Sequence, residues 1–333
     1  MFSKDIGIDL GTANTLVYIK NKGIVIREPS VAAVDVRSDR VIAVGLEAKE
    51  MIGRTPDTIE AVRPLKDGVI ADFEITAAML SRFIRMAVRS GIRKPRVAVC
   101  IPSGCTGVER KAVEDAVRQT GAKQIKLIEE PMAAAMGAGI AVEEPDGNMV
   151  VDIGGGTSEV AVISLDDIVT SCSVRVAGDR FDKAIMDHIK KKYSLLIGER
   201  TAEEIKLCIG SAYPYDGEGR ARIKGRNLMN GMPAEAVISA EEVRDALAGP
   251  LSVIIEAIKT TLERSPPELS ADIFENGIML TGGGALLRGI DTLVAKETGM
   301  PVHTAEEPLD CVAAGAGLCL ERMSREKKPK NRR

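Results

Sequence analysis

Apolar residues along the chain come in short blocks that alternate with stretches of helical period, as α/β layers require. Residues 5–20 read as strand, tight turn and strand; residues 23–26 add a short strand that "REPS" ends. Residues 31–71 mix β-rich "VAAVDV" and "RVIAVG" with a short "LEAKEMIG" helix, the pattern of a small inserted subdomain. Over 75–90, Leu80, Phe83, Ile84 and Ala87 share one side of a helix. "RVAVCIPS" is a buried-strand pattern, and the helix "GVERKAVEDAVRQTGA" behind it stops at Gly121, placed as a C′ glycine. "IKLIEEP" is a further strand closed by Pro131, and "MAAAMGAGI" a small-residue helix.

The second part restarts with strand, turn and strand over 149–165, then a helix over about 180–193. Thr201 and Glu204 are spaced as a capping box for the next helix. Residues 211–238 form a small Gly- and Pro-rich β region. A long helix over 239–265 carries Pro250, expected to kink or split it. "GIMLTGGGALLRGIDTLVAKE" reads as strand, Gly turn and helix, and "CVAAGAGLCLERM" as a last small-residue helix.

The two restarts are copies of one pattern. "GIDLGTANTLVYIK" and "VVDIGGGTSEVAVI", set at an offset of 143 residues, place Asp9 on Asp152, Gly11 on Gly154, Thr15 on Ser158 and Val17 on Val160. With 333 residues the chain suits two domains. The halves are expected at 1–143, with an insertion over about 31–72, and 144–323, with an insertion over about 178–257.

Composition adds limits. Apolar content of 45% with 28% charged residues describes a soluble globular chain, and five Phe, four Tyr and no Trp leave an aliphatic core. Six cysteines without a CxxC pair, and only two His, argue against zinc and for buried reduced thiols. No apolar run reaches the ~18 residues that span a bilayer, and "MFSKDIGIDL" enters a strand at once, so a cytoplasmic protein is expected. Net charge is −3, but the tail 324–333 holds six Lys/Arg against one Glu. Between Glu74 and Glu109 there is no acid, while Arg82, Arg85, Arg89, Arg93, Lys94 and Arg96 lie there.

A Gly-rich turn between strands presents backbone N–H groups to phosphate oxygens. One such turn is ordinary hairpin geometry; two on facing halves can grip a polyphosphate from both sides. Asp9 and Asp152 would then sit beside the phosphates and repel them unless a divalent cation intervenes. Hard oxygen donors and phosphate point to Mg²⁺, held through retained waters. A third turn, "TGGGALLRG", lets a purine or ribose approach the backbone. The ligand expected in the cleft is Mg·nucleoside triphosphate. The end of "IKLI" puts Glu129 and Glu130 at the cleft floor, and adjacent strand residues face opposite ways, so one of them can align an attacking water.

"DLGTANT", "IEEPMAAA", "VVDIGGGTSEVAVIS", "GERTAEEIK" and "LTGGGALLRG" together resemble the MreB/Mbl family of bacterial actin homologues, over about residues 5–320. The resemblance implies an actin-like α/β ATPase fold: two RNase H-like halves, four subdomains, and a C-terminal helix (about 308–323) packing back on the first half. It implies phosphate contacts from Gly11, Thr12, Ala13, Asn14, Gly154, Gly155, Gly156 and Thr157, and Mg²⁺ organised by Asp9 and Asp152. It places Glu203, Glu204 and Lys206 on the nucleoside, with Gly282, Gly283, Gly284 and Ala285 closing over the base. It gives Glu130, assisted by Thr157, the hydrolytic water; for Glu129 the residues themselves suggest a structural hydrogen-bond acceptor. Ser158 stands where relatives have Thr, and Arg180 where they have an acid.

It further implies slow ATP (or GTP) hydrolysis coupled to polymerisation into paired protofilaments under the cell membrane, guiding cell-wall synthesis in rod-shaped cells. RodZ and MreC/MreD would be its partners. The alternative is a non-polymerising ATPase of the superfamily; a chaperone is expected to carry a substrate domain after residue ~330, and a sugar kinase a catalytic Asp in a sugar pocket. Arg82, Arg85, Arg89 and Arg93 share one helical face, and with the basic tail they suit an anionic membrane surface. No aromatics interleave the cations, which argues against nucleic acid.

Overall fold

The computed structural model describes residues 5–88 and 95–326. Two five-stranded sheets organise it. In the first, Asp5–Leu10 pairs antiparallel with Asn14–Ile19, which pairs with Gly23–Pro29; on its other side Asp5–Leu10 runs parallel to Arg96–Ile101, followed by Gln124–Glu129. In the second, Asn148–Ile153 pairs antiparallel with Ser158–Ser164, then Asp167–Val174, and runs parallel to Ile278–Thr281, followed by Val302–Thr304. Strand order and direction are the same in both.

The repeat holds at the level of register. Asp5–Leu10 shifted by 143 gives the bounds of Asn148–Ile153, and the pair Asp9↔Leu16 becomes Asp152↔Glu159. Alternation explains the burial: Ile6, Ile8 and Leu10, like Val151 and Ile153, enter the cores of their halves with almost no exposure. Continuous apolar runs mark strands covered on both faces.

Each half carries an insertion. In the first, Ala32–Asp35, Arg40–Val44 and Ile59–Val62 form a sheet over Leu46–Met51, with a small core of Val31, Ala33, Ala43 and Ala48. In the second, Leu195–Leu196, Arg220–Asn227 and Pro233–Ser239 form another. The helix Cys311–Glu326 packs on Glu130–Gly137 and on the first sheet. Glycine permits this crossing: a Cβ on Gly137 would lie 1.8 Å from the Cys311 carbonyl oxygen, and one on Gly315 1.8 Å from that of Ala133. Backbone therefore meets backbone between the helices.

Several local readings need correction. The helix expected to be capped by Thr201 starts at Glu199, behind Gly198, and Thr201 lies in its first turn with no cap bond. Glu199 and Arg200 are good helix formers and add that turn; Glu204 pairs with Arg200 at 3.0 Å instead. Capping boxes occur at Thr106–Glu109 and Ser239–Glu242. Pro250 does not split its helix, which runs unbroken over Ala240–Arg264 because Leu247, Leu251 and Ile254 bury the face on both sides of it. Pro131 ends its strand by opening the next helix in the first turn, where proline costs no hydrogen bond. The helix expected over 75–90 is Phe73–Ala87, started by Asp72, whose carboxylate accepts the Ile75 N–H at 2.9 Å, and ended at an extended Val88.

Candidate functional site

Both strand-turn-strand hairpins end at one cleft. Its cavity of about 360 Å³ is lined from the first half by Asp9, Gly11, Thr12, Ala13 and Asn14, and from the second by Asp152, Gly154, Gly155, Gly156 and Thr157. The turns touch. A Cβ on Gly155 would lie 2.5 Å from the Ala13 Cβ, and one on Gly156 2.5 Å from the Thr12 Oγ1. Small residues are thus required for the two turns to close on a shared ligand.

Three carboxylates converge behind them. Burial and the neighbouring Asp152 push Asp9 up to about 8. Burial raises Asp152 to about 6, against a hydrogen bond donated by the Thr281 hydroxyl at 2.8 Å. Glu130 is held well above the carboxylate range by burial, then by Glu159, Asp9 and Asp152. No three His, Cys, Asp or Glu side chains form a metal-binding group among the described residues. The donor set nevertheless fits Mg²⁺ held by waters and phosphate: buried carboxylate oxygens whose mutual repulsion a divalent cation would relieve.

Glu129 and Glu130 separate cleanly. Glu129 ends its strand and pairs with Arg110 at 2.9 Å, outside the cleft, whereas Glu130 begins the next helix, buried, and lines the cleft. Glu203, Lys206, Gly282, Gly283 and Gly284 also line it; Glu204 and Ala285 do not, the first being turned to solvent and the second packed into the core of the second half. Lys206 is placed by Asp182 at 2.8 Å and by the Gly178 carbonyl at 3.3 Å.

Other cleft residues carried no motif. Lys49 and Arg63 reach in from the first half's insertion, Lys49 to Glu203 at 2.8 Å and Arg63 to Asp179 at 3.7 Å. Burial raises Glu203, but Lys49, together with Lys206 and Arg63, outweighs it and leaves the carboxyl below its usual range. The Asp67–Gly68 turn, both residues at positive φ, donates the Gly68 N–H to Thr12 Oγ1 at 2.9 Å and packs against Thr157. The "DG" pair was the available signal. Leu207, Leu286 and Leu309 give the remaining wall an apolar character.

The two departures noted in the sequence lie off the cleft. Ser158 donates its hydroxyl to the Val176 carbonyl at 2.6 Å, and Arg180 is exposed at the start of Gly178–Tyr193. Of the basic face, Arg82 and Arg85 are exposed, but Arg96 is not part of it: its guanidinium clamps Asp5, with Nε at 2.8 Å. Arg89, Arg93, Lys94 and residues 327–333 lie outside the described residues. No helix among the described residues is long and apolar enough to cross a membrane.

Paired sheets of one topology enclosing a cleft with a Gly turn from each define the actin-like class. The chain superposes on MreB5 of Spiroplasma citri bound to ADP with a TM-score of 0.93, at 40% identity, covering 98% of this chain and 99% of that one. A MamK double helical filament shares the fold alone, at 21% identity and a TM-score of 0.83, over 96% of this chain and 99% of that one. The chain is 53% identical to the cell shape-determining protein Mbl of Bacillus subtilis over 333 residues, 100% of this chain and 99% of the relative. It is 54% identical to MreB of Escherichia coli K12 over 329 residues, 96% and 94% of the two chains. The MreB/Mbl protein family profile matches residues 3–328. The chain belongs to the MreB/Mbl family of cell shape-determining proteins.

Proposed function

We propose that the chain binds Mg·ATP between its two Gly turns, hydrolyses it slowly, and couples that cycle to assembly into paired protofilaments that set rod shape. The observation that carries this reading is the contact of the two turns above Asp9, Asp152 and Glu130. MreB5 of Spiroplasma citri bound to ADP and to AMPPNP supports an adenine nucleotide.

In this reading Gly11 to Asn14 and Gly154 to Thr157 hold phosphate oxygens through backbone N–H groups and small side chains. Asp9 and Asp152 would hold Mg²⁺ through water, and the cation would supply charge neutralisation at the phosphoryl oxygens. Glu130, in its ionised form, aligns the attacking water and accepts its proton, with Thr157 lining the same cleft. Glu203 and Lys206 orient the nucleoside, and Gly282 to Gly284 close over the base. Arg82, Arg85, Arg89, Arg93 and the tail hold the filament at the inner face of the membrane, where RodZ and MreC/MreD meet it.

The test is phosphate release together with negative-stain microscopy in Mg·ATP, with and without anionic liposomes. Paired filaments and slow release are expected, liposome-bound where lipid is present. Particles that hydrolyse ATP without assembling would overturn the filament reading. Glu130→Ala should keep nucleotide affinity and lose about 100-fold or more in phosphate release, while Glu129→Ala keeps both.

A further inference from the structure

One buried acid near the cleft has no part in the scheme above. Glu159 is fully buried on Ser158–Ser164, two residues beyond Thr157 and directly opposite Asp152 in the ladder. Its position in the repeat is that of Leu16 in the first half, so the frame itself requires no carboxylate there. Burying one is costly unless its oxygens are satisfied.

They are satisfied from both halves. Oε1 accepts the Ser173 hydroxyl at 2.6 Å, within the second half. Oε2 accepts the backbone N–H of Ser103 at 3.2 Å, from the first half. Ser103 follows strand Arg96–Ile101 through Pro102, and Ile101 is the register partner of Glu129, so this segment leaves its sheet beside Glu130. Pro102 also touches the turn that meets Thr157: a Cβ on Gly68 would lie 2.8 Å from Pro102 Cγ and 2.9 Å from Thr157 Cγ2.

We propose that Glu159 is a positioning residue for hydrolysis, a buried carboxylate that ties the Pro102–Ser103 segment of the first half to the second half and thereby sets Glu130 against Thr157. Binding of the nucleotide uses the turns themselves and does not need the tie. Alignment of the water needs residues from both halves in fixed relation, and slippage of about 1 Å at that seam is sufficient to slow it about 100-fold. The inference rests on the hydrolytic reading of the cleft.

The test is single-turnover phosphate release and fluorescent-nucleotide affinity on the full chain, for the parent, Glu130→Ala, Glu159→Ala and Glu159→Gln. Glu159→Ala should lower kcat about 100-fold with affinity within about threefold of the parent. Glu159→Gln keeps the shape and an acceptor oxygen, and should recover most of that loss, to within about tenfold of the parent. Should Glu159→Ala not fold, Glu159→Gln decides alone, by a three- to tenfold drop in kcat at unchanged affinity, about 1 kcal/mol. Parent-like turnover in Glu159→Ala overturns the proposal, as does parent-like turnover in Glu159→Gln where that variant decides alone, or an equal loss of affinity and turnover in both. No hydrolysis by the parent would instead refute the hydrolytic reading, whereas a parent that hydrolyses, a dead Glu130→Ala and an unimpaired Glu159→Ala refute this inference only.

Discussion

In the first half Asp9 stands opposite Leu16, and strand Arg96–Ile101 exits into Pro102–Ser103; in the second, Asp152 stands opposite Glu159, and strand Ile278–Thr281 exits into the Gly282–Gly284 turn. The same frame therefore presents different chemistry. Asp152 receives a hydroxyl from Thr281 and is held near 6, while Asp9 is driven to about 8 by burial and by Asp152. The exit loop of the second half lines the cleft, and that of the first is held by Glu159. A repeated scaffold supplies the symmetric clamp, and unequal side chains at matched positions divide the work within it.

The largest effect expected concerns the symmetric part. Asp9→Asn and Asp152→Asn should each weaken Mg²⁺-dependent ATP binding about 10- to 100-fold, measured by titration with and without EDTA. A loss confined to one of them would show that a single half organises the cation. Next, Gly155→Ala must force the second turn off Ala13, with about 1–3 kcal/mol of overpacking and a matching loss of affinity.

A smaller effect distinguishes the two acids in the nucleotide-free protein. Asp9 has a folded pKa of about 8, above its ordinary 3.8, so the folded state binds a proton that the unfolded chain has released. That contribution to stability is complete below about pH 4 and is lost as pH rises through 8. Between pH 6 and 8 the loss amounts to about 2 kcal/mol, which calorimetry in EDTA would read as a falling Tm. Asp9→Asn should flatten the slope. The smallest effect is that of Thr281→Ala: without the hydroxyl, the Asp152 pKa rises above about 6 and about 1 kcal/mol more of the loss moves above that pH. An unchanged profile would show that the hydroxyl does not account for the difference between the halves.

Much of this was readable beforehand because the repeat is written in short-range pattern. Apolar alternation gave the hairpins, and matched Asp and Gly positions gave the two turns that meet at the cleft. What short-range pattern does not carry is which face a residue turns inward and which distant residue it meets. Glu203 and Glu204 are neighbours on a helix and differ in a motif by nothing except the face they turn to the cleft. Thr201 and Glu204 have capping-box spacing, but Glu199 and Arg200 extended the helix past them. Arg96 sat in a basic run and proved to be the partner of Asp5, 91 residues away.

By itself the sequence determined the two α/β halves, their repeated hairpins and the acids and glycines of the turns, since strand period and turn chemistry are local properties. Only the tertiary structure decided which of two adjacent glutamates lines the cleft. The same holds for Lys49 and Arg63 meeting acids of the other half, and for Glu159 bridging the seam. Those assignments depend on contacts between segments that are distant along the chain, and no periodicity within either segment records its partner.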